Sequence, residues 1–116
     1  MFNYRTSDPT TCRFYDVISQ EELKSGERAF VQIGRLSIVV LNIEGEYFAI
    51  ADVCSHDDGP LGDGELDGWK ISCPRHGAQF DVRTGKALTL PAIQDIPTYP
   101  VRVKDGMVQV GIPNGA

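Results

Sequence analysis

The stretch from Cys54 to His76 constrains this chain more than any other. It reads Cys54-Ser55-His56, then sixteen residues, then Cys73-Pro74-Arg75-His76. Two of the three cysteines and both histidines of the protein fall inside it. Thiolate sulfur and imidazole nitrogen are the side-chain donors that transition metals take up most readily. Two such pairs at short internal spacing read as a metal site with Cys54, His56, Cys73 and His76 as ligands. Cysteine is often buried as a small hydrophobe, so a metal-free core is the bland alternative. Histidines standing beside Asp57, Asp58 and Arg75 do not read as core residues.

Two kinds of centre use this donor set. A single zinc ion takes two cysteines and two histidines in a tetrahedron. A [2Fe–2S] cluster takes four cysteines, or two cysteines and two histidines with both histidines on one iron. Zinc fingers commonly group cysteine with cysteine and histidine with histidine. Here each pair is mixed, and the pairs lie far apart in the chain. Two similar loops, each giving its cysteine to one iron and its histidine to the other, account for that pattern. Gly59, Pro60, Gly62, Gly64 and Gly68 supply sharp bends. They also leave backbone N–H groups able to turn toward sulfur, which helps set a cluster's potential.

With its spacing and the run Cys73-Pro74-Arg75-His76-Gly77-Ala78-Gln79-Phe80-Asp81-Val82-Arg83-Thr84-Gly85, the chain resembles the Rieske [2Fe–2S] proteins. It is most similar in kind to the small ferredoxins of bacterial ring-hydroxylating oxygenases. The resemblance runs from about Arg13 to Val110. It implies an all-β fold, an antiparallel β-sandwich base with a small inserted cluster-binding subdomain. The expected division of the single domain 1–116 is a base of about 10–51 and 93–111 and a subdomain of about 52–92. It also implies a third, proline-bearing loop over the cluster at Leu90-Pro91-Ala92; from the residues alone, Pro91 reads equally as an ordinary turn.

Composition is consistent with one globular domain. The chain has 116 residues, 41% of them hydrophobic, and a net charge of −5, a size that buries about two-thirds of the unfolded surface. The basic residues do not cluster, which argues against nucleic acid and anionic membrane as partners. The longest apolar run, around Ile38–Leu41, has the length of a strand and not of a membrane span. Met1-Phe2-Asn3-Tyr4-Arg5 shows no signal pattern, and Cys12 alone cannot form an internal disulfide once Cys54 and Cys73 bind metal. A cytoplasmic monomer is expected, with Cys12 structural.

Along the chain, residues 1–9 read as a loose arm and Cys12–Val17 as a first strand. Ser19-Gln20-Glu21-Glu22 has the form of a capping box opening one helical turn, stopped at Gly26. Arg28–Ile33, Leu36–Ile43 and Glu46–Ala51 form a meander punctuated by Gly34-Arg35 and Glu44-Gly45. Tyr47 and Phe48 read as packing residues. Short strands are expected at Glu65–Asp67, Trp69–Ser72 and Phe80–Val82. Thr98–Val103 and Met107–Val110 flank Asp105-Gly106, a strong hairpin dipeptide. Asp57, Asp58, Asp63, Glu65 and Asp67 lack the spacing of a calcium loop and read as surface charge.

No catalytic constellation is visible. Both histidines are committed to metal, and no phosphate-binding glycine motif is present. The resemblance implies a non-catalytic one-electron carrier. Its donor would be a flavin-containing NAD(P)H reductase and its acceptor a terminal Rieske oxygenase acting on an aromatic or related substrate. The small Rieske subunit of a nitrite reductase and a zinc-bound interaction module are the other readings. High-potential members of the family carry a disulfide between the ligand loops, and serine and tyrosine hydroxyls against sulfur. The matching positions here are Gly59, Arg75, Ala78 and Phe80, so a low potential is expected.

Overall fold

The computed structural model describes residues 9–54, 60–74, 77–89 and 94–114. Every regular element among them except one short 3₁₀ turn, Pro9–Thr11, is a β-strand. The strands are β1 (Cys12–Ser19), β2 (Arg28–Ile33), β3 (Leu36–Ile43), β4 (Glu46–Ala51), β5 (Leu66–Asp67), β6 (Lys70–Ser72), β7 (Gln79–Asp81), β8 (Thr98–Tyr99), β9 (Val101–Lys104) and β10 (Met107–Pro113). They form three antiparallel sheets with orders β1-β10-β9, β2-β3-β4-β8 and β5-β6-β7. The expected all-β architecture is what the chain adopts.

The β2-β3-β4-β8 sheet lies between two cores. Its central strand β3, Leu-Ser-Ile-Val-Val-Leu-Asn-Ile, is buried from Ile38 to Ile43. Successive side chains of a strand point to opposite faces. Ile38 and Val40 therefore join Ala49, Val108 and Val110 in one core. Val39, Leu41 and Ile43 join Ile50, Ile71 and Phe80 in the other. A strand covered on both faces needs an unbroken apolar run instead of alternation, and that is how Ile38–Leu41 reads.

The meander boundaries are those expected from its turns. Glu44 and Gly45 both have positive φ (54° and 89°), as do Asp105 and Gly106 (52° and 78°), the backbone of a two-residue hairpin that matches strand twist. Asn42, buried beneath the first of these turns, accepts from the Gly45 N–H at 2.9 Å and donates to the Leu23 carbonyl at 2.9 Å. Both of its polar ends are thereby satisfied.

Two expectations are corrected. The Ser19–Glu22 segment opens no helix; among the described residues it is a turn. Ser19 ends β1, paired with Met107. Its hydroxyl donates to the Glu22 carboxylate at 2.9 Å and accepts from the Glu22 N–H at 3.3 Å. This is half of a capping box, because a strand residue cannot also serve as a helix cap. Thr98–Val103 is not one strand. It breaks at Pro100, with Thr98–Tyr99 pairing with β4 and Val101–Lys104 with β10. Proline donates no hydrogen bond to a ladder, but the Pro100 carbonyl accepts from the Gly111 N–H at 2.8 Å. The chain thus changes sheet without leaving that carbonyl unpaired.

Candidate metal centre

The β5-β6-β7 sheet occupies the stretch between β4 and β8 in the chain. The two cysteines flank its first two strands. Cys54 follows β4 and Cys73 follows β6, and their exposures are 0% and 2%. Both belong to one apolar core with Leu61, Ile71, Ala78 and Phe80. The structure therefore places the two thiols expected as ligands in the same core. His56 and His76 lie outside the described residues, as do Asp57, Asp58 and Pro91. Asp63, Glu65 and Asp67 are exposed, as expected of surface charge. Tyr47 and Phe48 pack against the two cores. Cys12 starts β1 opposite Pro113.

Cys73 sits at the neck of the β6–β7 hairpin. Its N–H donates to the Ala78 carbonyl at 2.7 Å, and its own carbonyl accepts from the Gly77 N–H at 2.9 Å. Gly77 has φ of 74°, a conformation that costs glycine nothing and most residues about 1 kcal/mol or more. These anchors bracket the stretch in which the second ligand pair is expected.

The next turn is tied down as firmly. The Asp81 carboxylate accepts from the Arg83 backbone N–H at 2.8 Å and pairs with its guanidinium at 2.9 Å. Arg83 hydrogen bonding is the main cause holding the Asp81 carboxyl below its ordinary pKa. The same guanidinium lies 4.6 Å from the centre of the Trp69 ring. Beyond this turn, residues 86–89 run back along β7. Leu88 donates to the Gln79 carbonyl at 2.8 Å, and the Thr89 hydroxyl accepts from the Gln79 N–H at 2.9 Å. Asp95 accepts from the Ala87 N–H at 2.9 Å, linking the chain on either side of residues 90–93.

Sequence reasoning missed two residues that grip this region, one just after β4 and one on β2. The Asp52 carboxylate accepts from the N–H groups of Leu61 and Gly62 at 2.9 and 2.6 Å. Arg28 of β2 donates to the carbonyls of Gly62 and Gly64 at 2.5 and 2.8 Å. Their partners are backbone groups, which carry no side-chain signal. Only the glycines at 62 and 64 hinted at close approach. A Cβ on Gly62 would collide with Val39 and Phe30, and one on Gly64 with the carbonyl of Ser72.

The Rieske [2Fe–2S] domain family matches residues 13–100. The chain is a member of that family. It is 32% identical over 102 residues to the ferredoxin component of the naphthalene 1,2-dioxygenase system of Pseudomonas putida, a match covering 88% of this chain and 98% of that one. Among solved structures, the Sphingomonas yanoikuyae B1 ferredoxin superposes with a TM-score of 0.79 at 35% identity, over 87% of this chain and all of the other. A chain from a complex of reduced oxygenase and oxidized ferredoxin in carbazole 1,9a-dioxygenase gives 0.79 at 30% identity, over 84% of this chain and 92% of that one. Membership makes a Rieske-type [2Fe–2S] cluster the cofactor of this domain. The described residues fit it. Two thiols buried in one core with Ala78 and Phe80 suit a sulfide-bridged iron pair, whose ligand sulfurs must be thiolates.

Proposed function

We infer that this chain is a one-electron carrier, the ferredoxin component of a ring-hydroxylating oxygenase system. One observation carries the reading. A buried thiol pair, set by a Rieske-type hairpin, lies in a chain that matches stand-alone ferredoxin components over nearly their whole length. When bound, the cluster stores one electron at a time. The chain's own residues hold and shield it, and no catalytic role is assigned to any of them. Cys54 and Cys73 are the ligands of one iron, and His56 and His76 of the other. The base comprises about 10–51 and 93–111, and the cluster-binding subdomain about 52–92. The donor is a flavin-containing NAD(P)H reductase. The acceptor is a terminal oxygenase, as in the solved oxygenase–ferredoxin complex.

The purified protein should hold two irons and two acid-labile sulfides per chain. Electron paramagnetic resonance of the reduced form should show the lowered average g value of histidine ligation. Reduction by such a reductase, followed by reoxidation on adding an oxygenase, completes the test. One zinc and no sulfide would end the reading. Cys73→Ser should abolish the visible band, since metal binding and local folding are coupled. The base should survive in part, because the core shared by its two sheets draws its buried residues from Leu23, β3, β4, Tyr99 and β10 alone. A Cys73→Ser protein with an unaltered spectrum would show that the ligand assignment is wrong.

A further inference from the structure

Asp52 and Arg28 hold the backbone of residues 61–64 from two sides. Asp52 lies two residues before Cys54, and Leu61 follows it in the chain by nine positions. One carboxylate oxygen accepting from both Leu61 and Gly62 therefore closes the base of the first ligand segment, tying its end to its start. Arg28 takes the opposite side of the same segment through the Gly62 and Gly64 carbonyls. The segment is itself a turn, closed by the Gly64 N–H donating to the Leu61 carbonyl at 2.9 Å. It also touches the second ligand strand. Gly64 packs on the carbonyl of Ser72, the residue before Cys73, leaving no room for a Cβ. The Ser72 N–H in turn donates to the Glu65 carbonyl at 2.9 Å. Asp52, the 61–64 turn and Ser72 thus form one connected path from beside Cys54 to beside Cys73.

We propose that Arg28 and Asp52 are positioning residues for the cluster, fixing the two cysteine segments relative to each other through the 61–64 turn. This rests on the Rieske reading above. The chemistry favours such a role over general stabilisation. Charge-assisted hydrogen bonds are about twice as strong as neutral ones, and four of them converge on three residues of this one turn, Leu61, Gly62 and Gly64. Leu61 is fully buried in the same core as both cysteines, so movement of the turn would disturb the packing of the core that holds the thiols. β3 pairs with β2 and β4 along its length and keeps one face in a core that contains neither Leu61 nor any residue of the turn, so its own ladder does not hang on this clamp.

The test compares the wild-type holoprotein with Arg28→Met, Asp52→Ala and Asp52→Asn. Asparagine keeps an oxygen able to accept both N–H groups, and alanine does not. Bleaching of the visible band by a chelator should speed up about tenfold or more in Arg28→Met and Asp52→Ala, the usual cost of losing an outer-shell partner. Asp52→Asn should return most of the way to wild type. Hydrogen exchange of the peptide spanning residues 60–66 should rise in Arg28→Met, while β3 exchanges as in wild type. Reduction potential should shift with bleaching rate across the series. Wild-type bleaching rates in all three variants would overturn the proposal. So would loss of the turn and of β3 in step, with no rescue by Asp52→Asn, because that pattern describes ordinary destabilisation. If Asp52→Ala does not fold, Arg28→Met and Asp52→Asn decide between the same outcomes. A wild-type protein lacking iron and sulfide would instead remove the Rieske reading, and the clamp's role with it.

Discussion

Ala78 and Phe80 are fully buried in the core that holds Cys54 and Cys73, and neither side chain can donate a hydrogen bond to sulfur. Donation to cluster or ligand sulfur withdraws charge and favours the reduced, more negative state. Its absence here places the potential near the bottom of the Rieske range of roughly −150 to +300 mV, which suits a carrier fed by NAD(P)H. Protein-film voltammetry on wild type and on Ala78→Ser with Phe80→Tyr checks this, with the double variant moving upward. A wild-type value well above zero would contradict the oxygenase assignment. A second residue-scale expectation concerns Asp81, whose carboxyl is held below its ordinary pKa chiefly by the hydrogen bond from Arg83. A group with a lowered folded pKa stabilises the protein above its unfolded value, about 3.9. That contribution is lost as pH falls through the lower folded value. The Asp81 carboxyl signal, followed by NMR, should titrate below 3.9 by this reasoning, and Arg83→Gln should move its midpoint up.

At the scale of strands, the turns decided what could be read in advance. β2, β3 and β4 have the expected limits because Gly34 and Glu44-Gly45 punctuate strongly apolar runs. The break at Pro100 was not legible. Thr98–Val103 carries strand-forming residues on both sides of the proline, and which sheet each half joins depends on partners distant in sequence. The site divides in the same way. Cys54 and Cys73 announce themselves by residue type and spacing. Arg28 and Asp52 do not, since they act on backbone groups 34 to 36 and 9 to 10 residues away. Gly111 was equally silent, and its role is steric. A Cβ there would lie 2.8 Å from Pro100 Cγ, 3.0 Å from Phe14 Cζ and 3.1 Å from Cys12 Cβ. Ring and backbone-anchored atoms yield little, so Gly111→Ala should cost about 1–3 kcal/mol, the usual price of overpacking. The midpoint of chemical denaturation should fall accordingly, although Gly→Ala at a relaxed site stabilises by about 0.4–1 kcal/mol.

The molecule as a whole carries a net charge of −5, and exposed Asp63, Glu65 and Asp67 lie at or just before β5 of the β5-β6-β7 sheet. Asp57 and Asp58, beside His56 in sequence, lie outside the described residues; they are the first of the carboxylates proposed to steer encounter with a basic patch on the reductase or oxygenase. A charge distribution of one sign around an electron-transfer site attracts a partner of the opposite sign before contact. Such steering raises association rates by roughly 10- to 1,000-fold. It is screened beyond about 8–10 Å at physiological salt. Electron delivery from a reductase, or onward to an oxygenase with a basic docking patch, should therefore slow as ionic strength rises from low to physiological. Asp57→Asn with Asp58→Asn should flatten that dependence while leaving the visible spectrum unchanged, because asparagine preserves size and removes only charge. Stopped-flow rates measured across a salt series provide the check. Rates indifferent to salt in the wild type would reduce these carboxylates to a solubilising surface, since rim charges that do not steer alter neither the approach nor its screening.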